Sequence, residues 1–249
     1  MRRLWLADIH ANLPALEAVL ADAGDGDEVA FVGDVVGYGP HPAACVDRLA
    51  RLSPRAVRGN HDSAVLAATG PTAGPGLPLD WDAWSRAELS AGARAYLEAL
   101  PGVLDLDLGS VAALVTHHPP GAPYLHPDMP DAVLWPHLHA AWPDAPGQAV
   151  WVCAHSHRTI DRRLAGRRYV CVPPVGQPRD GDPRAGYAVE IDGVFTFRRV
   201  VYDVEATVAA VSRIGLAPAF VARWVRFLRT GWDAEWSRDY PAPVARPTL

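Results

Sequence analysis

Apolar and polar positions in the first 60 residues follow two different periods in turn. Short apolar runs of strand length occupy residues 3–7, 28–33 and 55–58. Between these runs, residues 13–20 and 42–51 carry apolar side chains at helical spacing. The order strand, helix, strand, helix, strand predicts parallel strands that are joined by right-handed crossovers.

The rest of the chain predicts more strands and helices and then a change to β-hairpins. A Gly/Pro-rich loop over 69–80 precedes a predicted helix near 85–99, and a Pro-rich stretch occupies 118–130. Hairpins are indicated by short alternating runs around Ala-Gly and Asp-Gly pairs. The other predicted elements are strands at 111–116 and 149–153, a helix around 131–141, hairpins of 159–164 with 167–172 and of 186–191 with 195–200, and helices near 204–213 and 218–230.

The chain shows no internal repeat and no linker, so we predict a single domain over residues 1–236. Segments at about 63–101 and 118–147 are expected to add loops and helices that cap this domain. The Pro-rich tail, residues 237–249, is expected to be disordered.

Composition narrows the class of protein without indicating a function. The 249 residues carry a net charge of -5, which gives no bulk-charge sign of nucleic-acid binding. The chain has no lysine, which excludes Schiff-base chemistry and a Walker-type phosphate loop. The three cysteines are not in CxxC spacing, and the chain shows neither a signal-peptide pattern nor a run of 18 apolar residues. We therefore expect a cytoplasmic protein without a membrane span; homo-oligomerisation is left open.

Side chains that can bind metal stand at the ends of five predicted strands. Ligands of open α/β sheets gather beyond the carboxyl ends of the strands. Residues two apart in an extended segment project to the same side, so each such pair here can converge on one point. The residues are Asp8 and His10, Asp34, Asn60 and His61, His117, and His155 and His157.

These donors exceed what one metal ion needs. Two carboxylates, one amide and four or five imidazoles suit two neighbouring ions that share a carboxylate. Nitrogen and oxygen donors without thiolate indicate manganese, iron, zinc, cobalt or nickel rather than calcium, and of these we expect manganese. For any single element, the alternative is a histidine or carboxylate that hydrogen-bonds to the backbone at a strand end. For the whole set, that alternative requires several buried polar groups to find separate partners on one edge.

The ordered motifs resemble those of the calcineurin-like metallophosphoesterases, and most closely those of the small bacterial and archaeal phosphodiesterase/phosphatase branch. The resemblance covers nearly the whole chain. It implies a four-layer αββα sandwich of two mixed sheets with a dinuclear metal site on one edge. The motifs are Asp-Ile-His at 8–10, Gly-Asp-Val-Val-Gly-Tyr-Gly-Pro at 33–40, Gly-Asn-His-Asp at 59–62, an apolar strand that ends in His117, and Ala-His-Ser-His at 154–157.

The resemblance also implies a role for each of these residues. Asp34 is expected to bridge both ions together with a water or hydroxide that attacks phosphorus in line. His61 is expected to be the general acid for the leaving oxygen, and Gly59 to let the backbone turn tightly in front of it. The implied ligands are Asp8, His10 and His157 for one metal, and Asn60, His117 and His155 for the other.

Three departures from the family pattern bear on the site. Gly37 stands where Ser/Thr protein phosphatases of the eukaryotic type carry an aspartate that orients the catalytic histidine, so that activity is disfavoured. His118 follows His117 where a glycine is usual, which leaves two candidates for one ligand, with His117 favoured. The segment 171–174, Cys-Val-Pro-Pro, replaces an Asn-Pro-Gly-Ser turn that lies near the site in relatives.

The implied reaction is hydrolysis of a phosphate monoester or diester, with nucleotides among the open substrates. Tyr38, Arg179 and Arg184 are tentative substrate contacts, although the two arginines could instead pair with Asp180 and Asp182. The alternative function is a catalytically silent, metal-binding scaffold of the same fold that binds a protein partner.

Overall fold

Two five-stranded β-sheets with helices on their outer faces make up the part of the chain that the computed structural model describes. That part comprises residues 1–25, 28–69, 81–122, 124–144, 149–215 and 218–232. The strands are β1 (Arg2–Leu6), β2 (Glu28–Phe31), β3 (Arg55–Ala56), β4 (Val103–Asp107), β5 (Ala112–Thr116), β6 (Val150–Cys153), β7 (Ile160–Leu164), β8 (Arg167–Cys171), β9 (Ala185–Ile191) and β10 (Val194–Val200). The helices are α1 (Leu13–Ala23), α2 (Pro42–Arg51), α3 (Asn60–Ala67), α4 (Trp81–Glu88), α5 (Ala91–Ala99), α6 (Asp131–Ala141), α7 (Val204–Val211) and α8 (Pro218–Thr230).

The first sheet has the strand order β10-β9-β1-β2-β3. Strand β2 pairs in parallel with both β1 and β3, so α1 and α2 are crossovers between parallel strands. The Asn12 side chain accepts a hydrogen bond from the Ala15 N–H and so caps α1. Pro42 begins α2, at a position where a backbone N–H would have no partner within the helix, so proline loses no hydrogen bond there. The predicted alternation of parallel strands and helices is confirmed.

The second sheet has the strand order β4-β5-β6-β8-β7. Strands β5, β6 and β8 are parallel, whereas β4 and β7 pair antiparallel at the edges. Ala165 and Gly166, which join β7 to β8, have φ of +47° and +82°, as a two-residue hairpin turn requires. Asp192 and Gly193 make the same kind of turn between β9 and β10. Both predicted hairpins are confirmed.

Alternating side chains of β1 divide the interior into layers. Leu4 and Leu6 pack in the cluster that lies beneath the helices of the first sheet, whereas Trp5, fully buried, packs between the two sheets. Leu134 and Leu138 of α6 cover the outer face of the second sheet. The order of layers is therefore helix, sheet, sheet, helix, which confirms the predicted αββα sandwich.

The structure differs from the predicted elements in three places. Residues 60–67, for which no element was predicted, form α3, and the unpredicted strand β4 has charged side chains on its exposed face. The single helix predicted near 85–99 is two helices, α4 and α5. The Ser90 side chain accepts the Ala93 N–H, which starts a new helix at that point.

Backbone hydrogen bonds join the loops that follow the strands. The Asp8 N–H donates to the Gly33 carbonyl and the His10 N–H donates to the Asp34 carbonyl, so the loops after β1 and β2 lie side by side. From the loop after β8, the Gly176 N–H donates to the Asp8 carbonyl. The carboxyl ends of strands from both sheets therefore meet in one place.

The segments that were expected to cap the domain contain described helices. Helices α4 and α5 fall within 63–101, and α6 falls within 118–147. The predicted tail, residues 237–249, lies outside the described residues. Among the residues that the structure does describe, no helix has both the length and the hydropathy that crossing a membrane would require.

Position 176 should not tolerate a methyl group. A Cβ atom there would lie 1.8 Å from the Ile9 carbonyl oxygen and 3.0 Å from the Asn12 Cβ atom, so the backbone would have to move. We expect Gly176→Ala to lower the free energy of unfolding by about 1–3 kcal/mol, the usual range for overpacking. Urea denaturation followed by circular dichroism measures this change.

Gly102→Ala is the matched control, because no atom lies within 4 Å of a Cβ atom built at that position. We expect it to change the free energy of unfolding by less than about 0.5 kcal/mol. Equal stability of the two variants would contradict the close approach of residue 176 to the loop after β1.

Candidate metal centre

Asp8, His10 and His157 form the first group of candidate ligands. The His10 Nε2 atom lies 3.0 Å from the His157 Nε2 atom, and these two nitrogens lie 3.8 Å and 3.6 Å from the Asp8 Oδ1 atom. All three side chains are buried. They come from the loop after β1 and the loop after β6, and they converge closely enough to hold one metal ion.

Asp34, His117 and His155 form the second group, with Asn60 beside them. The His117 Nε2 atom lies 3.1 Å from the Asp34 Oδ2 atom and 3.1 Å from the Asn60 Oδ1 atom. The His155 Nδ1 atom lies 2.8 Å from the same Asn60 oxygen. This group brings together the ends of β2, β5 and β6 and the start of α3.

The Asp34 carboxylate lies between the two groups. Its Oδ2 atom is 3.1 Å from the His117 Nε2 atom and 3.8 Å from the His10 Nε2 atom. The carboxylate is therefore within reach of both candidate ion positions. This is the position that a bridging ligand requires.

Hydrogen bonds on the outer ring nitrogens orient the first group. His10 Nδ1 lies 3.1 Å from the Val36 carbonyl oxygen, and His157 Nδ1 lies 2.5 Å from the Gln177 carbonyl oxygen. Because a carbonyl oxygen only accepts, Nδ1 of each ring carries the proton, and the Nε2 lone pair points inward. The two lone pairs face each other across 3.0 Å without a proton between them. A cation between them would relieve their repulsion.

The Asp8 carboxylate lacks the hydrogen bonds that buried carboxylates usually make: both of its oxygens are buried and have no hydrogen-bond partner among the described residues. Of the Asp34 oxygens, Oδ1 accepts from the His61 N–H, and the buried Oδ2 lies 3.1 Å from the His117 Nε2 atom. An unpaired buried charge is costly unless a counter-ion neutralises it. Together with the imidazole and amide donors, these oxygens fit two divalent transition-metal ions.

In the metal-free protein, His117 takes the place of a cation. Burial alone would lower the pKa of His117, but the carboxylates of Asp34 and Asp8 raise it to about 10. Burial would also raise the pKa of Asp34, but the His117 charge and hydrogen bond hold it below its usual range. Burial raises the pKa of Asp8 to about 7. At neutral pH the second group therefore contains an imidazolium–carboxylate pair.

Five of the candidate ligands have a backbone conformation that residues with a side chain rarely adopt. Strain of this kind amounts to about 1–3 kcal/mol per residue and persists only where the surrounding structure enforces it. It clusters at functional sites. The φ angles are +48° at Asp8, +47° at His10, +63° at Asp34, +67° at His155 and +54° at His157.

Asp62, to which no role was assigned from the sequence, accepts four backbone hydrogen bonds. Its buried carboxylate binds the N–H groups of Asp34, Val35 and Val36 at 2.9, 2.9 and 3.2 Å, and that of Gly59 at 2.9 Å. The loop after β2 is thereby fixed to the start of α3. The only signal for this role in the sequence was the position of Asp62 in the Gly-Asn-His-Asp motif.

Gly59 is needed for space rather than for a tight turn. Its φ of -89° and ψ of 175° are extended values that any residue can adopt. A Cβ atom at this position would lie 2.0 Å from the Asp34 Oδ1 atom and 2.4 Å from the Asp34 backbone nitrogen. The structure therefore explains the glycine by close approach to the candidate bridging ligand, a different reason from the one predicted.

His61 lies next to both groups and is held by packing. Its N–H donates to the Asp34 Oδ1 atom at 2.8 Å, and its ring contacts Tyr38 and His10 with centroids 4.4 and 5.1 Å apart. Gly37 has φ of +86°, and a Cβ atom there would lie 2.9 Å from His61 Nδ1. Burial lowers the pKa of His61, so the ring is neutral at pH 7 in the metal-free protein.

The two arginines that were tentative substrate contacts have different environments in the structure. Arg179 donates to the Tyr124 hydroxyl and to the Gln177 side-chain oxygen, both at 2.8 Å. Next to burial, its charge is the largest cause of the low pKa of the His157 ring. Arg184, by contrast, is exposed and pairs with Asp182 at 2.7 Å in the same loop. Arg179 therefore lies at the site, whereas the Arg184 guanidinium is committed to an ion pair.

His118 lies beside the second group rather than in it. Its Nε2 atom lies 2.9 Å from the Ala122 carbonyl oxygen, and its ring packs on His155 with centroids 4.4 Å apart. Tyr124, for which the sequence gave no signal, also packs on His155, at 5.1 Å. The geometry therefore favours His117 over His118 as the candidate ligand.

Known proteins resemble this chain in sequence. Residues 1–193 match the family model of the calcineurin-like phosphoesterase superfamily domain. The uncharacterized protein MJ0912 of Methanocaldococcus jannaschii is 29% identical over 231 residues, which cover 80% of this chain and 87% of that protein. Residues 1–193, which match the family model, include every candidate ligand.

Solved structures resemble the chain in fold. The crystal structure of a metallophosphoesterase from Sphaerobacter thermophilus is similar with a TM-score of 0.77 and 32% identity, over 93% of this chain and 99% of that one. A hypothetical protein, PH1004, from Pyrococcus horikoshii OT3 has the same TM-score, 0.77, at 21% identity, over 94% and 99% of the two chains. At 21% identity, the second likeness shows the fold alone.

Metal binding to the metal-free protein should release protons at pH 7. His117, with a pKa of about 10, is an imidazolium there, and Asp8, with a pKa of about 7, is half protonated. A metal ligand must be deprotonated, so we expect about one proton from His117 and part of one from Asp8. Calorimetric titration with manganese in buffers of different ionisation enthalpy measures the number released.

The apparent association constant should accordingly rise about tenfold per pH unit for each proton released. His118→Gln is the control and should leave proton release unchanged, whereas His117→Gln should reduce it by about one proton. Release of less than about half a proton by the wild type would contradict the charged state assigned to His117.

Proposed function

The chain belongs to the calcineurin-like phosphoesterase superfamily, and from that premise we propose that it hydrolyses phosphoesters with two divalent metal ions. The observation that carries the proposal is the pair of Nε2 lone pairs on His10 and His157, 3.0 Å apart beside the unpartnered carboxylate of Asp8. The metallophosphoesterase from Sphaerobacter thermophilus, 32% identical, supports the same class of reaction.

We propose that the two groups of donors and Asp34 hold the ions as the family resemblance implies. The convergence of each group supports this assignment. Nitrogen and oxygen donors suit manganese, iron, zinc, nickel and cobalt, and of these we propose manganese. The assigned ligands are Asp8, His10 and His157 for one ion, Asn60, His117 and His155 for the other, and Asp34 for both.

When bound, the two ions would lower the pKa of a shared water and neutralise charge on the phosphate oxygens. His61 then has the task of donating a proton to the leaving oxygen. A phosphate anion beside its ring would favour the imidazolium, which offsets the effect of burial on its pKa. The Tyr38 ring and the bond from the His61 N–H to Asp34 keep the imidazole in place.

The proposal includes the domain bounds and the location of the protein. Residues 1–236 are proposed to form a single domain, and the protein is proposed to act in the cytoplasm. Nucleotides are among the candidate substrates, because each carries a phosphoester.

We expect manganese-dependent hydrolysis of p-nitrophenyl phosphate and bis-p-nitrophenyl phosphate, and a decrease in kcat of about 10²–10⁴-fold in His61→Ala, the usual contribution of a general acid. Phenyl phosphate, whose leaving group is less acidic, needs the proton more. His61→Ala should therefore lower the kcat for phenyl phosphate more than that for p-nitrophenyl phosphate. Steady-state kinetics with both monoesters measures this difference.

His139→Ala is the control, because His139 is exposed on α6, where it contacts Trp135 and Arg167. Each variant should contain two metal ions per chain by elemental analysis. Equal loss for both leaving groups would remove the proton-donor role from His61. A wild type that contains two ions and hydrolyses none of the three substrates would refute the hydrolase and favour the scaffold alternative.

A further inference from the structure

Arg179 is a cation beside the candidate metal centre whose side-chain partners are neutral. Its two terminal nitrogens donate to the Tyr124 hydroxyl and to the Gln177 side-chain oxygen, both at 2.8 Å. Among the described residues, no carboxylate forms an ion pair with it. Arginines nearby in the chain do have such partners: Arg184 pairs with Asp182, and Arg199 with Asp180.

Arg179 is also fixed in position on all sides. Its N–H donates to the His157 carbonyl at 3.1 Å, and its own carbonyl accepts from Arg158 Nε at 3.0 Å. The Tyr124 hydroxyl that accepts from Arg179 donates in turn to the Ser156 carbonyl at 2.8 Å. Backbone and guanidinium are thus both tied to the segment that carries two candidate metal ligands. A donor fixed in this way loses little entropy when it binds a ligand.

The positive charge of Arg179 acts on the whole centre. Burial is the largest cause of the low pKa of both His10 and His61, and the charge of Arg179 lowers both further. Burial raises the pKa of Tyr38, and a hydrogen bond from Arg179 partly offsets this. The guanidinium lies at the edge of the centre, hydrogen-bonded to Tyr124, whose ring packs on that of the candidate ligand His155.

The chemistry of this arrangement suits an oxyanion with more oxygens than the metal ions occupy. A phosphate monoester has three non-bridging oxygens and a charge close to -2 at neutral pH, because its second pKa is about 6. A diester has two such oxygens and a single charge. Arginine presents several N–H groups in a planar fork that matches phosphate oxygens. The Arg179 guanidinium could therefore bind the third non-bridging oxygen, which only the monoester possesses.

We propose that Arg179 binds the third non-bridging oxygen of the substrate phosphate and so makes the protein selective for phosphomonoesters over phosphodiesters. This inference rests on the proposed phosphoesterase function. Arg179 is the specificity-determining residue, and Tyr124 is a positioning residue that acts through it.

The first experiment compares kcat/KM for p-nitrophenyl phosphate and bis-p-nitrophenyl phosphate in manganese-loaded wild type and Arg179→Met. We expect the wild type to prefer the monoester. Arg179→Met should lower kcat/KM for the monoester by about 10- to 100-fold, the range of a hydrogen bond to a charged group. The value for the diester should fall by less than about threefold, since the diester lacks the oxygen that Arg179 binds.

The second experiment measures binding without turnover. Calorimetric titration of the manganese-loaded proteins with inorganic phosphate and with dimethyl phosphate compares an oxyanion that has the extra oxygen with one that lacks it. We expect Arg179→Met to raise the Kd of inorganic phosphate at least about tenfold and to leave that of dimethyl phosphate within about twofold. Elemental analysis shows whether the variant keeps both metal ions.

Two further variants make the result interpretable. Tyr124→Phe keeps the ring against His155 but removes the hydroxyl that positions Arg179, so it should lower the monoester value by about three- to tenfold. It decides the matter if Arg179→Met does not fold or loses metal. Arg48→Met is the matched control, because Arg48 forms an ion pair with Glu17 between α1 and α2. Arg48→Met should leave kcat/KM unchanged for both substrates.

The possible outcomes separate the two proposals. An active wild type that prefers the diester, or equal losses for both substrates in Arg179→Met and Tyr124→Phe, would overturn the selectivity inference and leave the phosphoesterase function standing. A wild type that holds two metal ions but neither hydrolyses the substrates nor binds inorganic phosphate would overturn the proposed function, and the inference with it.

Discussion

Mutual repulsion among buried ligand groups is the constraint on which the rest of this structure depends. Where the two sheets meet, the structure encloses the carboxylates of Asp8 and Asp34 and two imidazole lone pairs that face each other. The Asp8 carboxylate accepts no hydrogen bond from the described residues. Taking such charges out of water is costly unless an opposite charge compensates them. In the metal-free protein the His117 imidazolium provides one opposite charge, which neutralises part of the cluster. The remaining carboxylate and imidazole groups suit the divalent cations that the candidate sites could hold.

The packing of the two sheets holds these groups in place. Asp8 and Asp34 follow strands of the first sheet, whereas His117 and His155 follow strands of the second. The buried side chains between the sheets, Trp5 among them, fix the distance between the two halves of the centre. The strained backbone at the candidate ligands can persist because this core holds the loops in place, together with four hydrogen bonds from backbone N–H groups to the Asp62 carboxylate. The ordered core therefore maintains the strained conformation of the loops.

Periodicity predicted the elements of this fold better than it predicted the geometry of the site. The parallel strands, both hairpins and the last two helices follow from local patterns, which depend on neighbours in sequence. Helix α3 was missed because its start coincides with the Gly-Asn-His-Asp motif, and the break between α4 and α5 because it rests on one capping serine. The reason for Gly59 could not be read from the sequence, since it lies in a contact with Asp34, 25 residues away in the chain. Tyr124 and Arg179 likewise meet only in three dimensions.

The orientation of His61 shows how a departure from the family pattern is accommodated. An aspartate at position 37 would put a Cβ atom 2.9 Å from His61 Nδ1, and φ of +86° there suits glycine alone. The imidazole is instead fixed by ring contacts with Tyr38, whose own φ is +58°. A carboxylate partner would raise the pKa of the ring, whereas an aromatic neighbour leaves burial to lower it. Under the proposed function, His61 would become charged when the substrate phosphate lies beside it, so its protonation would depend on the substrate rather than on a permanent carboxylate partner.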